Sequence, residues 1–217
     1  MNTDRTESYI ESLESPLPAY LDELAAAARA AEVPIIRPAM MSFMRTLLAI
    51  HKPMAILEIG TAIGFSALYM REYSPAKASI TTIENYPPRI AEARKNLEKH
   101  DTDHRITLIE GDATEVVKAM AEENRSFDLI FMDGPKGQYI HMYDDIKKLL
   151  KTGGILLSDN VLQEGDILES RFAVTRRDRT IHARMREYLF RLTHDEDYVT
   201  SVLAVADGVA LSVKESI

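Results

Sequence analysis

The sequence contains no cysteine among its 217 residues. This absence excludes disulfide bonds, a thiolate nucleophile and zinc or iron–sulfur sites with cysteine ligands. Glycine and proline are scarce, at 9 residues each, and 46% of the residues are hydrophobic, which excludes a disordered or fibrous chain. No apolar run approaches the ~20 residues of a membrane span. The acidic start MNTDRTESYIESLES lacks the basic and apolar regions of a signal peptide. We therefore expect a soluble cytoplasmic protein.

Short apolar runs alternate with amphipathic stretches over most of the chain. This alternation predicts an α/β fold with a doubly wound, mostly parallel Rossmann-like sheet. The predicted strands are 55–59, 78–83, 105–110, 127–132 and 154–159, and the predicted helices are 64–73, 87–100, 113–123 and 137–150. Two further extended runs, 198–205 and 208–213, are separated by only two residues, so they predict an antiparallel hairpin that closes the sheet.

The segment before the sheet has a helical composition. Ser15 can cap a helix with Pro16 at its first position, and Pro34 and Pro38 would end that helix before a second one. Because these residues are too few for a separate core, residues 1–53 are expected to form a helical cover, as a lid or dimer surface, on the 54–217 core. The prediction is one domain.

The first strand-to-helix turn has glycines at two positions. Gly60 and Gly64 let the backbone turn sharply and bring a ligand close to the amides of the following helix. Glu58 lies at the apolar strand end, where a carboxylate is costly unless it is paired or faces a site. The glycine spacing differs from that of dinucleotide sites, which argues against a dehydrogenase, and an ordinary tight turn is the simpler alternative.

Polar residues also follow the next two strands. Glu84 ends the second strand, where an acidic side chain can bind a ribose diol. The turn of Gly111, Asp112 and Ala113 follows the third strand and suits an adenine edge. Three such turns at successive strand ends predict a site for a nucleoside-containing cofactor.

The fourth and fifth strands end in oxygen-bearing side chains. Asp133, Asp159 and Asn160 form an all-oxygen set that suits Mg²⁺ or another hard divalent cation. Lys136 is the candidate general base, because a lysine beside a divalent cation loses its proton more readily. The plainer alternative is a helix cap, a turn residue and a solvated lysine.

These motifs resemble those of the class I, divalent-metal-dependent O-methyltransferases, which include the catechol and caffeoyl-CoA O-methyltransferases. LEIGTAIGFSAL resembles their cofactor-binding turn, and D-x-x-K-x-x-Y (Asp133, Lys136, Tyr139) resembles their active-site segment. The resemblance implies S-adenosylmethionine as cofactor and Mg²⁺ as metal. It assigns the cofactor contacts to Ile36, Glu58, Gly60, Gly64, Ser66, Glu84, Gly111, Asp112, Ala113 and Asp133. It assigns the metal to Asp133, Asp159 and Asn160, and catalysis to Lys136 and Asp133.

A basic segment distinguishes residues 171–191 from the rest of the chain. It holds seven arginines against two acids, whereas the whole chain carries a formal net charge of −8. A solvated helix face is the usual fate of such a run. Arginine also suits phosphate forks and base stacking, so the run is a candidate RNA-binding surface. The candidate RNA-binding residues are Arg171, Arg176, Arg177, Arg179 and Arg184.

Within the family, the sequence is most similar to bacterial tRNA 5-hydroxyuridine methyltransferases. The similar stretches include VPII, KGQY, SDNVLQEG, MREY and DGVALSVK. This similarity implies a tRNA anticodon stem-loop as substrate and a homodimer as the assembly. Two alternatives stay open, an O-methyltransferase of small catechol-like phenols and a catalytically idle RNA-binding module.

Overall fold

Seven strands pair into one sheet in the order β3-β2-β1-β4-β5-β7-β6. The computed structural model describes residues 9–10, 12–170 and 172–215. The first five strands are parallel, and β7 pairs antiparallel with both β5 and β6. The strands are β1 (Ala55–Ile59), β2 (Ser79–Glu84), β3 (Ile106–Glu110), β4 (Phe127–Met132), β5 (Leu150–Ser158), β6 (Tyr198–Leu203) and β7 (Val209–Lys214). The predicted doubly wound α/β fold is confirmed.

Helices cover both faces of the sheet because the central strands are apolar on both sides. Along β1, Ile56 packs into the core of one face and Leu57 into the core of the other. The first face is covered by α1 (Ala19–Ala30), α2 (Pro38–His51), α3 (Phe65–Tyr73) and α4 (Pro87–His100). The second is covered by α5 (Ala113–Glu122), α6 (Tyr139–Leu149) and α7 (Arg179–His194). No helix in the described ranges is long and apolar enough to cross a membrane.

Helix α1 begins later than the sequence predicts. Helix α1 starts at Ala19 with Pro18 as its N-cap residue, and no side chain bonds to that cap. The predicted start at Ser15 and Pro16 is therefore wrong. The physical reason is Pro18, since a proline disfavours the helical conformation of the residue before it. The break at Pro34 and Pro38 is confirmed, because α2 begins at Pro38.

Strand β5 begins four residues earlier than predicted, at Leu150. Its first residue pairs with Phe127, and the register between β4 and β5 then shifts before Leu129 pairs with Ile155. Helix α6 is correspondingly shorter than predicted and is preceded by a 3₁₀ turn, Lys136–Gln138. The candidate residues Asp159 and Asn160 therefore follow the last residue of the strand.

The C-terminal hairpin has a longer connection than the predicted two residues. Strand β6 ends at Leu203 and β7 starts at Val209, so residues 204–208 form the turn. Gly208 has a φ of 84°, and a Cβ atom there would overlap the side chain of Leu162. The backbone amides of Val161 and Leu162 donate to the carbonyls of Gly208 and Asp207 at 2.9 and 3.1 Å. The hairpin turn therefore holds the chain just after Asn160.

Candidate active site at the carboxyl edge of the sheet

A cavity of about 480 Å³ opens at the carboxyl ends of the parallel strands. In a doubly wound sheet this is the edge where ligands bind. Its walls come from the turns after the first five strands and from the segment before α2. Among the residues that line it are Ile36, Gly60, Thr61, Ser66, Glu84, Asn85, Gly111, Asp112, Ala113, Asp133, Lys136, Gln138, Asp159 and Asn160. The predicted convergence of the cofactor turns and the carboxylates on one cavity is thus observed.

The first turn brings two strand ends into close backbone contact. Gly60 has a φ of 102°, and a Cβ atom at this position would overlap the carbonyl oxygen of Asp133. Glycine is therefore required by both the conformation and the space. Gly64, with a φ of 84°, is the N-cap residue of α3. The amino end of this helix lies at the cavity, because Phe65 and Ser66 line it.

Glu58 lies beneath the cavity, outside the set of residues that line it. Its side chain is fully buried, and Oε2 accepts a 2.5 Å hydrogen bond from Thr82. Oε1 has no hydrogen-bond partner. Burial raises the pKa of Glu58 to about 7, although hydrogen bonds from Ser66 and Thr82 oppose the shift. A direct contact of Glu58 with a cofactor stays a prediction.

A chain of hydrogen bonds runs from Glu58 through two threonines to the cavity wall. Thr82 Oγ1 lies 2.5 Å from Thr61 Oγ1, and Thr61 lines the cavity. Neither threonine was among the site residues predicted from the sequence. The pairing of the strands could have indicated Thr82, since this residue lies opposite Glu58 in the β1–β2 register.

Glu84 and Asp112 are fixed by backbone amides. Glu84 Oε2 accepts from the amide of Ala62 at 2.9 Å, and Oε1 accepts from Asn85 and Tyr86 at 3.0 Å each. These bonds tie the first and second turns together and orient the carboxylate at the cavity. Asp112 caps α5 by accepting from the amide of Thr114 at 2.9 Å.

Asp133, Lys136 and Tyr139 form one hydrogen-bonded cluster. Lys136 Nζ donates to Asp133 Oδ1 at 2.9 Å and to Tyr139 Oη at 3.1 Å. Tyr139 Oη in turn donates to the carbonyl of Met132 at 2.8 Å. Burial raises the pKa of Tyr139 well above its usual range, so the phenol keeps its proton for that bond. The arrangement fixes the amine at the cavity wall beside a carboxylate.

Asp159 is an ionisable side chain with only 3% of its surface exposed. Burial, reinforced by the negative charge of Asp133, raises the pKa of Asp159 to about 6. Its Oδ1 accepts from the amide of Asn160 at 2.7 Å, and Asn160 adopts a left-handed conformation with a φ of 53°. The result is two neighbouring carboxylates with one amide at the same cavity.

This donor set fits a hard divalent cation. Two carboxylates that face one cavity repel each other, and a cation relieves that repulsion. The described residues contain no cluster of three or more His, Cys, Asp or Glu suited to a metal. The candidate set of Asp133, Asp159 and Asn160 has only two carboxylates, so it leaves room for water or substrate oxygens.

The basic segment includes most of helix α7, and this helix contacts the candidate site. Arg184 Nη1 donates to the carbonyl of Gly137 at 3.2 Å, next to Lys136. Tyr188, one turn further along, lies 2.6 Å from Ser158 Oγ, at the end of β5. The helix therefore touches the segments that carry the candidate base and the candidate metal ligands.

The remaining arginines differ in their surroundings. Arg176 and Arg177 are exposed, and Arg179 is partly buried, with Nε 3.4 Å from the carbonyl of Val174. Arg191 instead pairs with Asp144 at 2.7 Å and lies over the ring of Tyr143. The predicted RNA contact Arg171 lies outside the described residues.

Comparisons with known proteins identify relatives of this chain. A family model described as O-methyltransferase matches residues 11–215. The catechol O-methyltransferase of Mycobacterium tuberculosis is 29% identical over 145 residues, which are 66% of this chain and 65% of that protein. The caffeoyl-CoA O-methyltransferase of Populus kitakamiensis is 26% identical over 172 residues, 78% of this chain and 73% of that protein. Among solved structures, the SAH-bound methyltransferase PaMTH1 of Podospora anserina is 28% identical with a TM-score of 0.86, and the match covers 99% of this chain and 95% of that one.

The family match spans nearly the whole chain and includes every element that lines the cavity. The similarity to PaMTH1 covers the same elements at the level of the fold. The chain therefore belongs to the O-methyltransferase family, together with enzymes that are named for catechol and caffeoyl-CoA.

Proposed function

We propose that this protein is an S-adenosylmethionine-dependent O-methyltransferase that converts 5-hydroxyuridine to 5-methoxyuridine at the wobble position of the tRNA anticodon. The observation that carries the choice of substrate is the bond from Arg184 to Gly137, because it sets the basic segment beside the candidate base. The family match supports methyl transfer to oxygen. The SAH-bound relative supports the cofactor, since SAH is what S-adenosylmethionine becomes after it gives up its methyl group.

The cofactor is proposed to bind across the first three turns. Gly60 and Ser66 lie at the amino end of α3, and Glu84 presents a carboxylate to the same cavity. A ribose diol can donate to such a fixed carboxylate, and Asp112 and Ala113 offer a polar turn for the adenine edge. Ile36 adds an apolar wall. When bound, S-adenosylmethionine supplies an electrophilic methyl group.

The metal is proposed to bind between Asp133, Asp159 and Asn160. In 5-hydroxyuridine the O5 hydroxyl and the O4 carbonyl are neighbours, so they offer two oxygens to one cation as a catechol does. When bound, the divalent cation supplies Lewis-acid chemistry that makes the hydroxyl more acidic. Asp159 and Asn160 would hold the cation, and the hairpin contacts to Val161 and Leu162 hold the chain just after these two residues.

Lys136 is proposed to accept the proton of the substrate hydroxyl. S-adenosylmethionine, held by the first three turns, would supply the methyl group to the hydroxyl oxygen and would leave as S-adenosylhomocysteine. The proton passes from the hydroxyl oxygen to Nζ of Lys136, which acts as the general base. Tyr139 and Asp133 hold that nitrogen at 3.1 and 2.9 Å, so the proton acceptor has a defined position. Positioning of this kind is a large part of the rate enhancement for a displacement reaction.

A second candidate function is methylation of small catechol-like phenols. It is favoured by the names of the relatives, among them catechol O-methyltransferase. The chemistry at the metal and the base would be the same. Arg184, which lies beside the segment of the candidate base, gives this substrate no advantage, because a catechol carries no phosphate.

A methyl-transfer assay separates the two functions. Purified protein with Mg²⁺ and tritiated S-adenosylmethionine is offered bulk tRNA from a strain that lacks this gene, or catechol. Nucleoside mass spectrometry then identifies the product in tRNA. We expect 5-methoxyuridine to appear as 5-hydroxyuridine disappears. Methylation of catechol with no change in tRNA nucleosides would favour the second function, and no transfer to either would overturn both.

A further inference from the structure

The loop between the candidate metal ligands Asp159 and Asn160 and helix α7 exposes two large apolar side chains. Leu168 is 76% exposed and Phe172 is 85% exposed. Two neighbours on the same loop, Ile167 and Val174, are almost fully buried. The loop is therefore anchored at two points, and Phe172 lies between them. These two side chains have the highest exposures among the large apolar residues of the described ranges, which marks the loop as a candidate contact surface.

The loop is also attached to the helix that reaches the site. His182 Nε2 lies 3.1 Å from the carbonyl of Glu169, and Arg186 donates to the same carbonyl at 3.4 Å. One residue before His182, Ile181 packs near Gly137 in the turn that carries Lys136. Phe172 is thus held on a segment that is continuous with the rim of the cavity.

The charges around the loop select the chemistry of the partner. The exposed arginines Arg176 and Arg177 follow Phe172 by four and five residues, and Arg184 donates to the carbonyl of Gly137, next to Lys136. Exposed arginines close in sequence to an exposed aromatic ring are a combination that proteins use to bind single-stranded nucleic acid, with arginines at the phosphates and the ring against a base. An apolar protein partner or a lipid tail would leave these charges unpaired.

We propose that Phe172 is a base-stacking platform that holds an unpaired nucleotide next to the target uridine, with Leu168 as its apolar border. This inference rests on the proposed tRNA substrate and deepens it. It gives the loop a positioning role, because a neighbouring base held by stacking fixes the entry of the target base into the cavity. Single-stranded loop bases are free to splay out in this way.

Binding of a 17-nucleotide anticodon stem-loop RNA, measured by fluorescence anisotropy, tests the inference. The RNA carries 2-aminopurine next to an unmodified uridine, so that stacking is also read as quenching of fluorescence. Phe172→Ala should weaken binding about 10-fold and relieve the quenching, as expected for the loss of one stacked base. Phe172→Leu should behave like Phe172→Ala, whereas Phe172→Trp should retain binding. Phe190→Ala is the matched control, because Phe190 is 63% exposed on α7 but stacks on His194.

The outcomes separate the inference from the proposed function. If wild-type protein methylates tRNA and Phe172→Ala binds the stem-loop with unchanged affinity and quenching, the stacking platform is overturned and the function stands. If Phe172→Leu retains full binding, apolar contact suffices and stacking is overturned. If Phe172→Ala alters only the oligomeric state in size-exclusion chromatography with light scattering, the surface is a contact between copies. Absence of both RNA binding and tRNA methylation by the wild type overturns the proposed function itself.

Discussion

Lys136 donates a hydrogen bond to Asp133, three residues before it, and another to Tyr139, three residues after it. This spacing brings the three side chains into one hydrogen-bonded cluster, in which Asp133 and Tyr139 both contact the amine. A 3₁₀ turn, Lys136–Gln138, produces this geometry between the end of β4 and the start of α6. Because this amine is the proposed proton acceptor, the first prediction concerns Lys136.

Lys136→Ala should lower turnover by about 100-fold or more, which is the usual range for loss of a general base. Binding of S-adenosylhomocysteine should change little, because the first three turns are untouched. Turnover and isothermal titration with S-adenosylhomocysteine measure the two effects on the same sample. Lys151→Ala is a suitable control, since this lysine pairs with Asp128 at the opposite end of β4. Equal turnover of Lys136→Ala and wild type at saturating Mg²⁺ would remove Lys136 from the mechanism.

Asp159→Asn should abolish measurable binding of Mn²⁺ or Mg²⁺ while it raises Tm by several degrees. The carboxylate is buried beside Asp133, so removing its charge relieves a repulsion in the metal-free protein. Calorimetric titration with MnCl₂ and thermal unfolding in EDTA test both parts. Asp166→Asn, at an exposed acid of the following 3₁₀ turn, should alter neither. Retained metal binding in Asp159→Asn would contradict the proposed ligand set.

Gly60→Ala should destabilise the fold by about 3 kcal/mol or more, since the new methyl group needs both a left-handed conformation and the space of the Asp133 carbonyl. Gly153 provides a matched control, because its φ is 75° and an added Cβ meets no atom within 4 Å. Gly153→Ala should therefore cost only about 1 kcal/mol, the conformational part. Urea unfolding followed by circular dichroism measures both. Similar costs for the two variants would refute the close approach of the two turns.

Glu58→Gln should change how stability depends on pH. The pKa of Glu58 is raised to about 7 in the folded protein, so the folded state holds the proton more tightly than the unfolded chain. Its contribution is complete below the unfolded pKa near 4.5 and is lost as pH rises through about 7. Relative to Glu58→Gln, the wild type should therefore lose about 3 kcal/mol between pH 4.5 and pH 8.

Chemical unfolding of the ligand-free proteins at pH 5, 6, 7 and 8 makes this comparison. Glu92→Gln serves as control, since Glu92 is half exposed and pairs with Arg89 on α4. Parallel stability curves for wild type and Glu58→Gln would contradict the buried, protonated state of Glu58.

Arg176→Ala and Arg177→Ala should each reduce the salt dependence of RNA binding. A lost phosphate contact lowers the slope of log Kd against log salt by about 1. The slope is measured by anisotropy between 50 and 200 mM KCl with the stem-loop RNA. Arg191→Ala should leave it unchanged, because Arg191 already pairs with Asp144. If both exposed arginines leave the slope unaltered, the basic segment does not contact phosphate.

The order of elements could be read from the sequence because apolar runs and amphipathic stretches differ in period. The parallel strands then had to place their polar ends at one edge, which brought Glu84, Asp133 and Asp159 to one cavity. Local conflicts were harder to resolve. Pro18 displaced the start of α1, and a five-residue turn replaced the two-residue turn predicted for the hairpin.

Glu58 shows why contacts at the site resist prediction. Its place in the cofactor-binding motif predicts a ligand contact, which stays a prediction, and its carboxylate accepts a hydrogen bond from Thr82 on the neighbouring strand. The surroundings of a side chain at a strand end depend on the neighbouring turn, and this turn depends on the close approach of Gly60 to Asp133 and on the bond from Ala62 to Glu84. The homodimer implied by the family resemblance stays a prediction.

The C-terminal hairpin contributes no side chain to the cavity, yet the site depends on it. Without residues 204–214, every candidate catalytic residue would still be encoded, but β5 would lose its antiparallel neighbour and the amides of Val161 and Leu162 would lose their acceptors. The loop after Asn160 would then have no fixed path. Strand β7 and the turn before it therefore stabilise the segment that follows β5. A chain without them would contain the candidate catalytic residues but would not hold them in these positions.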